Sequence, residues 1–218
     1  MKNIFVYCGM ALSLFCMDVS GVGVAEDKPT VRKAAAPLYR DPITDGAADP
    51  VLIWNRQEKT WWMLYTQRRA NQETADVAYC YGNGIGIAES ADNGKTWVYR
   101  GSLDLNFERG HNTFWAPDVV YHDGKYHLFV SYIKGVRNHW GGAHEGPKAF
   151  MYAGYYWMVT DEWHGMRVYK SSDLEKWEKQ GLILDKPSQR KDDTPSGAHG
   201  DVVVLGDKAY VFYFTHPG

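Results

Sequence analysis

The chain has 218 residues and a formal net charge of −2, from 24 Lys and Arg against 26 Asp and Glu. This balance excludes the basic surface of a nucleic-acid-binding protein and the polybasic face of a peripheral membrane protein. Aromatic residues make up 15% of the chain, including 9 Trp and 15 Tyr. β-rich folds use such side chains for packing, and some of these are also suited to stacking on sugar rings.

Residues 1–25 have the pattern of a secretory signal peptide. Lys2 supplies the positive start, residues 4–17 are apolar, and Gly23-Val24-Ala25 offers small residues for cleavage. The apolar run is shorter than the roughly 20 residues that a membrane-spanning helix requires. We therefore expect a secreted or periplasmic protein without a membrane span, with an N-terminal extension at residues 26–40.

From residue 41 onwards the sequence predicts strands and little helix. An apolar strand, a tight turn and an aromatic strand follow one another four times, beginning near Pro50, Pro117, Pro147 and Gly200. Such an internal repeat is typical of a β-propeller, in which four-stranded antiparallel blades surround an axis. The predicted fold class is therefore all-β, with a propeller domain at residues 41–218.

The spacing of the repeats is uneven. Only 29 residues separate Asp118 from Pro147, whereas a four-stranded blade needs roughly 40–50 residues. The second repeat therefore lacks room for two outer strands, and the fourth stops at Gly218 after two strands. We expect two full blades and two half blades, which cannot close a ring. Either the chain is a fragment, or its second blade is abbreviated and more sequence follows.

The segment Ser90–Trp97 has the form S-x-D-x-G-x-T-W. Ser and Asp side chains accept hydrogen bonds from backbone N–H groups in tight turns, and Gly94 permits a positive φ. Trp97 is expected to pack beneath the turn. A looser copy follows at Ser172–Trp177. This pattern resembles the Asp-box hairpin of propeller blades in glycoside hydrolases and sialidases.

Acidic residues occur near the starts of the predicted inner strands, which line the channel of a propeller. They lie in Asp49-Pro50, in Trp115-Ala116-Pro117-Asp118 and in Glu145-Gly146-Pro147. Together with Ser172-Asp173-Leu174 and Trp177, these motifs resemble the family 43 glycoside hydrolases, the arabinanase and xylosidase group. The resemblance runs from about residue 41 to the end, and it implies a five-bladed propeller that is incomplete here.

The resemblance implies an inverting reaction, in which two carboxyl groups stand roughly 6.5–9.5 Å apart. Asp49 would be the base that activates water, and Glu145 the acid that protonates the leaving oxygen. Asp118 would orient the acid and keep its pKa high. No metal site is expected and no cofactor is required, although the channel leaves room for a structural calcium ion.

The identity of the acid stays open, because family members place a full blade between the second Asp and the acid. Here the interval from Asp118 to Glu145 is 27 residues. Asp161 and Glu162 are alternative carboxylates, expected to lie further from the axis because they follow a second strand. His199 directly precedes an inner strand, and the chain also resembles the neoagarooligosaccharide hydrolases, in which a histidine serves as acid.

The expected substrate is a poly- or oligosaccharide. Trp115 and Trp140 are predicted to stack on sugar rings from loops at the channel mouth, and Arg137 and His111 to contact hydroxyl or carboxylate groups. The sequence thus predicts a secreted glycoside hydrolase. A carbohydrate-binding propeller without catalysis is one alternative. A six-bladed sialidase is another, but its chemistry needs an arginine cluster on channel-facing strands.

Overall fold

The computed structural model describes residues 36–105, 108–136 and 144–215. The predicted signal peptide, most of the N-terminal extension, Arg137 and Trp140 lie outside these residues. Within them, one 3-10 turn at Ala78–Cys80 is the only helical element. No helix in this described part is long and apolar enough to cross a bilayer.

Twelve strands in the described residues form four antiparallel sheets, which we number as blades 1 to 4 in chain order. Blade 1 contains β1 (Ala48–Asn55), β2 (Thr60–Thr66), β3 (Ile85–Ser90) and β4 (Val98–Ser102). Blade 2 contains β5 (Thr113–His122) and β6 (Lys125–Ile133). Blade 3 contains β7 (Glu145–Tyr152), β8 (Tyr155–Asp161), β9 (Met166–Ser171) and β10 (Glu178–Ile183). Blade 4 contains β11 (Ala198–Leu205) and β12 (Lys208–Phe214).

This arrangement confirms the predicted two full blades and two half blades. In every blade the first two strands form a tight hairpin, because each turn places residues with a positive φ where the strands reverse. Asp123 and Gly124 do so in blade 2, and Ala153 and Gly154 in blade 3. The short interval after β6 is occupied by no further strand in the described residues, so blade 2 remains a hairpin there.

The hydrophobic core is formed where blades 1 and 2 face each other. Leu64 and Ile85 from blade 1 and Phe114 from blade 2 are buried at its centre. Partly buried side chains from both blades pack around them, including Ile53 and Val130. Burial of these faces fixes the position of the inner strands β1 and β5, from which part of the candidate site is built.

Each inner strand carries the same β-bulge near its start. The strand pairing shifts between Ala48 and Val51, Trp115 and Asp118, Glu145 and Lys148, and Ala198 and Asp201. The second residue of each bulge has a positive φ between 45° and 58°; these bulge residues are Asp49, Ala116, Gly146 and His199. A bulge redirects side chains at the end of a strand. The four bulge residues are therefore equivalent positions in the four blades.

Hydrogen bonds join the bulges of blades 2, 3 and 4 to the blade that precedes each of them. The backbone N–H of the bulge residue donates to a side-chain oxygen on the second strand of the preceding blade. The three bonds are Ala116 N to Thr66 Oγ1 (2.9 Å), Gly146 N to Ser131 Oγ (2.9 Å) and His199 N to Asp161 Oδ2 (3.1 Å). The acceptors are themselves equivalent, because each pairs in register with the residue just before a bulge residue. The pairs are Thr66 with Ala48, Ser131 with Trp115 and Asp161 with Glu145. We call Thr66, Ser131 and Asp161 the bridging residues.

A second layer of equivalent residues lies two positions after the bulge residues. Asp118 of blade 2, Lys148 of blade 3 and Asp201 of blade 4 occupy it. Lys148 Nζ lies 3.4 Å from a carboxylate oxygen of each aspartate, so one cation joins three blades. Asp118 Oδ2 also accepts a 2.6 Å hydrogen bond from Ala149 N.

The turn at Ser90–Trp97 has the hydrogen bonds expected from its sequence. Ser90 Oγ accepts from Gly94 N (2.8 Å), Asp92 Oδ1 accepts from Thr96 N (2.9 Å), and Gly94 has a φ of 81°. Trp97 donates its indole N–H to the carbonyl of Gly94 at 3.2 Å, and so lies under the turn.

The second such turn differs by one residue from the sequence-based alignment. Ser171, rather than Ser172, provides the hydroxyl that accepts from Leu174 N at 2.9 Å. Asp173 Oδ1 accepts from Lys176 N (2.8 Å), and Trp177 donates to the carbonyl of Leu174 (3.1 Å). Ser171 ends β9 just as Ser90 ends β3, and this strand position decides which serine is equivalent.

Candidate active site

Titratable side chains from blades 1, 3 and 4 converge at the bulges. Asp49 and His199 are both bulge residues, and His199 Nε2 lies 4.0 Å from Asp49 Oδ1. The other carboxylate oxygen of Asp49 accepts a 3.2 Å hydrogen bond from Thr66 Oγ1. The Asp49 and His199 side chains are 37% and 28% exposed, so a solute can reach both. Glu145, next to the bulge residue Gly146, completes this cluster.

Glu145 is the first residue of β7 and is half-buried. Burial raises the pKa of its carboxyl group above the usual range. The charges of His199 and Arg68 oppose this rise, whereas Asp161 and Asp49 add to it through like-charge repulsion. A carboxyl group in these surroundings retains its proton to higher pH, which is the property that a general acid needs.

Gly146 gives the Glu-Gly-Pro motif a physical role. Its φ is +58°, a conformation that side-chain-bearing residues adopt only with strain. A Cβ at this position would lie 2.9 Å from His199 Nε2 and 3.0 Å from Cε1. The absence of a side chain at Gly146 therefore makes room for the imidazole beside Glu145.

Asp161 also belongs to this cluster. It is the last residue of β8, the second strand of blade 3, and its expected greater distance from the axis stays a prediction. It is the register partner of Glu145 across β7 and β8, and only 1% of it is exposed. Its Oδ2 accepts the N–H of His199, and its Oδ1 accepts the N–H of Trp163 at 2.7 Å. The bulge geometry brings the end of β8 against the start of β11.

Glu162, the other alternative carboxylate, has a different environment. Arg167 forms a two-pronged ion pair with it, with distances of 2.8 and 2.7 Å. The hydrogen bonds from Arg167 hold the pKa of Glu162 below its usual range. A carboxylate that is kept ionised in this way is poorly suited to donate a proton.

Asp118 is placed in the second layer rather than in the cluster. It is 3% exposed, and its two oxygens contact Lys148 Nζ and Ala149 N. Burial raises the pKa of Asp118, and the charge of Lys148 opposes that rise. The role of orienting the acid stays a prediction for Asp118.

Trp115 is the third residue of β5, so the expectation that it lies in a loop is wrong. Its indole N–H donates to the carbonyl of Cys80 at 2.6 Å, and its ring packs 5.1 Å from the ring of Tyr81. His111 Nε2 lies 3.1 Å from the carbonyl of Gly82. It lines a cavity of about 380 Å³, which the Asp49, Glu145 and His199 side chains do not line.

Two residues near Glu145 were missed by the sequence analysis. Arg68, just after β2, acts on the Glu145 carboxyl group through its positive charge. Tyr81 is buried, and its pKa is raised by burial and then by the charges of Cys80 and Glu145. Arg68 could have been found because it follows the end of β2, on the same side as the bulges. Tyr81 lies in no sequence motif that would indicate a site residue.

Within the described residues, no group of three or more His, Cys, Asp or Glu side chains is arranged to hold a metal ion. The carboxyl groups of the cluster are instead surrounded by hydrogen-bond donors and by cationic or imidazole side chains. The arrangement offers two carboxyl groups and an imidazole that can each exchange a proton with a bound solute.

No protein-family model matches the sequence, and no curated protein sequence matches it. Several solved structures, however, resemble the fold of this chain. An α-L-arabinofuranosidase from Lactobacillus brevis has a TM-score of 0.53 at 13% identity, and an endo-arabinanase of family 43 from Bacillus licheniformis has a TM-score of 0.52 at 16% identity. Each match covers 80% of this chain and 68% of the other.

An exo-β-1,3-galactanase from Phanerochaete chrysosporium, with galactose, has a TM-score of 0.51 at 16% identity. That match covers 75% of this chain, which spans 41% of the galactanase. These neighbours are five-bladed β-propeller glycoside hydrolases. At such low identity the likeness concerns the fold: the sheets of this chain are β-propeller blades of the family 43 type.

Proposed function

We propose that this chain carries the catalytic site of a secreted glycoside hydrolase that acts on a poly- or oligosaccharide with inversion. The observation that supports this most is the cluster of Asp49, Glu145 and His199. An exposed carboxylate and a half-buried carboxyl group with a raised pKa lie there on separate blades of a glycosidase-type propeller. Inverting hydrolysis needs such a pair of unequal carboxyl groups.

In this proposal Asp49 is the general base and Glu145 the general acid. Asp49 takes a proton from water as the water oxygen bonds to the anomeric carbon. Glu145 gives its proton to the departing glycosidic oxygen as the bond from that oxygen to the anomeric carbon breaks. The hydrogen bond from Thr66 Oγ1 holds the Asp49 carboxylate in place. Both carboxyl groups then exchange protons with solvent and return to their starting states.

His199 has a binding role in this proposal. Its ring stacks on Phe214, with the centroids 6.2 Å apart and the planes 23° from parallel. This packing fixes the imidazole between Asp49 and Gly146, where it can donate a hydrogen bond to a sugar hydroxyl. Arg68 and Tyr81 are further contacts of the sugar in this proposal. The predicted roles in sugar binding are kept for Trp115, His111, Arg137 and Trp140.

Replacing Asp49 by Asn tests the proposal in the intact protein. We expect kcat on oligosaccharides to fall by roughly 10²–10⁴-fold, the usual scale for losing one proton-transfer group. Calorimetry should show nearly unchanged oligosaccharide binding, because the amide has the same shape. Proton NMR of the wild-type reaction should show the inverted anomer as the first product.

Asp76→Asn is the matched control, because Asp76 is also exposed and has the same φ of 50°. It should retain wild-type turnover. Near-normal turnover by Asp49→Asn would remove Asp49 from the mechanism. Wild-type protein that binds oligosaccharides and cleaves none would contradict the enzyme and favour the carbohydrate-binding propeller.

A further inference from the structure

We propose that Asp161 is a positioning residue of this site: its buried carboxylate lies opposite Glu145 across β7 and β8 and acts on that acid through its charge, while its Oδ2 fixes the backbone of His199. This inference rests on the proposed function, because it assigns a residue that serves the proposed acid. It starts from the comparison of equivalent positions in the blades.

The bridging position needs an acceptor and does not need a charge. In blades 1 and 2 the bridging residues are Thr66 and Ser131, and their hydroxyl oxygens accept the bulge N–H at 2.9 Å. Both residues are buried, at 1% and 6% exposed. A neutral hydroxyl therefore makes this contact between blades as well as the carboxylate of Asp161, which does so at 3.1 Å.

A buried carboxylate at this position has a desolvation cost that a neutral hydroxyl does not have, which suggests a role for its charge. Asp161 is 1% exposed, and both of its oxygens accept backbone N–H groups, from Trp163 and His199. Those dipoles stabilise the carboxylate without neutralising it, so its negative charge acts on its surroundings. Its register partner across the two strands is Glu145.

Charged and titratable groups from several elements face the Glu145 carboxyl group: Asp161 at the end of β8, Asp49 in β1, His199 in β11, Arg68 after β2 and Tyr81 after the 3-10 turn. The charge of Asp161 raises the pKa of Glu145 more than that of Asp49 does, and His199 and Arg68 act in the opposite direction. Of the two carboxylates, Asp161 is also the more buried, so solvent screens its charge less.

Asp118 is the rival for this role and its charge is already compensated. Lys148 Nζ lies 3.4 Å from Asp118 and 3.4 Å from Asp201, on the second layer of the inner strands. An aspartate paired with a lysine exerts little net field on a carboxyl group elsewhere. Asp161 has no ion-pair partner among the described residues, so its charge is better placed to keep the acid protonated.

The test compares Asp161→Ser with the wild type in the intact protein. Serine reproduces the bridging residue of blade 2, so the hydrogen bond to His199 N can persist while the charge is lost. Trp163 N–H can bind water instead, since that residue is 60% exposed. We expect the alkaline limb of the pH–rate profile to move to lower pH. Oligosaccharide turnover on that limb should fall by about tenfold with little change in KM.

Asp41→Asn is the matched control, since it removes a buried aspartate that also accepts two backbone N–H groups but lies outside the site. Its alkaline limb should stay at the wild-type position. Asp161→Thr, which copies Thr66, provides a second variant if the serine form does not fold. An unmoved limb in the folded Asp161 variants would overturn the proposal and leave Asp161 a structural bridge. A shift caused by Asp118→Asn alone would restore the role predicted for Asp118.

A second readout does not depend on catalysis. Carbon-13 NMR of glutamate-labelled protein follows the titration of the Glu145 carboxyl group, which the Glu145→Gln spectrum identifies. The Asp161 variants should lower the pKa of Glu145, and an unchanged pKa would contradict the proposal. If the wild type cleaves no oligosaccharide, the proposed function fails while this titration still decides the effect of Asp161 on Glu145.

Discussion

Gly146 shows how much of the candidate site depends on a residue without a side chain. Its backbone has a positive φ, its N–H donates to Ser131 Oγ, and its open side faces the imidazole of His199. Glu145 and His199 can lie side by side only because no Cβ stands between them. A tightly constrained glycine of this kind is expected where a backbone must approach a functional side chain closely.

We therefore expect Gly146→Ala to cause a large loss of turnover and only a modest loss in the free energy of unfolding. The positive φ costs a side-chain-bearing residue about 1–2 kcal/mol, and the added Cβ would also displace the His199 ring, 2.9 Å away. Turnover of oligosaccharides should fall by at least roughly tenfold, because a small displacement of a catalytic or binding group has a large kinetic effect.

Gly154→Ala separates the two effects. Gly154 also has a positive φ, +80°, but a Cβ there would meet nothing within 4 Å. Thermal unfolding should show a similar loss of stability in both variants, whereas kcat should fall only in Gly146→Ala. Equal activities of the two variants would show that His199 does not need its present position.

At the scale of the strands, the inner strands have two adjacent layers of residues, one that builds the candidate site and one that holds neighbouring blades together by ion pairs. The bulge layer holds Asp49 and His199, and the second layer holds the ion pairs of Lys148 with Asp118 and Asp201. The second layer is largely buried on the side of Asp118, so loss of Lys148 would leave a carboxylate without a counter-charge. Unpaired buried charges are among the most destabilising defects in proteins.

Lys148→Met should lower the free energy of unfolding by about 3 kcal/mol at neutral pH. Burial already raises the pKa of Asp118, and loss of the lysine charge removes an opposing effect. For a carboxyl group with a raised pKa in the folded state, stability is fully present below the unfolded pKa and is lost as pH rises through the folded pKa. The deficit of Lys148→Met should therefore shrink as the pH falls, once Asp118 is protonated.

Urea unfolding between neutral pH and pH 4 measures this dependence. Lys148→Arg retains the charge and should remain close to the wild type throughout. A deficit of the same size at every pH would mean that the aliphatic stem of Lys148, rather than its charge on Asp118, stabilises the blades.

The strand pattern of the sequence was enough to predict the blades. Alternating apolar and aromatic runs, with turns at Asp123-Gly124 and Ala153-Gly154, led to two full blades and two half blades, and the structure confirms this. The short interval after Asp118 also predicted the two-stranded blade 2. These features are local in sequence, so one chain is sufficient to find them.

The composition of the site was only partly predictable, because register decides it. Asp49 precedes a proline and is a bulge residue, whereas Asp118 follows a proline and lies two positions beyond the bulge. Both lie near the start of a predicted inner strand, and in the sequence only the order of aspartate and proline distinguishes them. The contact of Asp161 with His199 could not be predicted, because the approach of the end of β8 to the start of β11 is tertiary.

At the scale of the whole molecule, the candidate site exists only where blades meet. Asp49 comes from blade 1, Glu145 from blade 3 and His199 from blade 4, and bridging hydrogen bonds connect each pair of successive blades. The central claim is that this assembly cleaves glycosidic bonds with Glu145 as the acid. The acid matters most for a poor leaving group, since a good one departs with little protonation.

The most direct measurement compares Glu145→Gln and His199→Asn on two substrates, a natural oligosaccharide and an aryl glycoside with a nitrophenolate leaving group. We expect Glu145→Gln to lose oligosaccharide cleavage, to retain most aryl-glycoside cleavage and to lose the alkaline limb of its pH–rate profile. His199→Asn should weaken both substrates through KM. If Glu145→Gln is harmless and His199→Asn shows the dependence on the leaving group, Glu145 is not the acid and the account is contradicted.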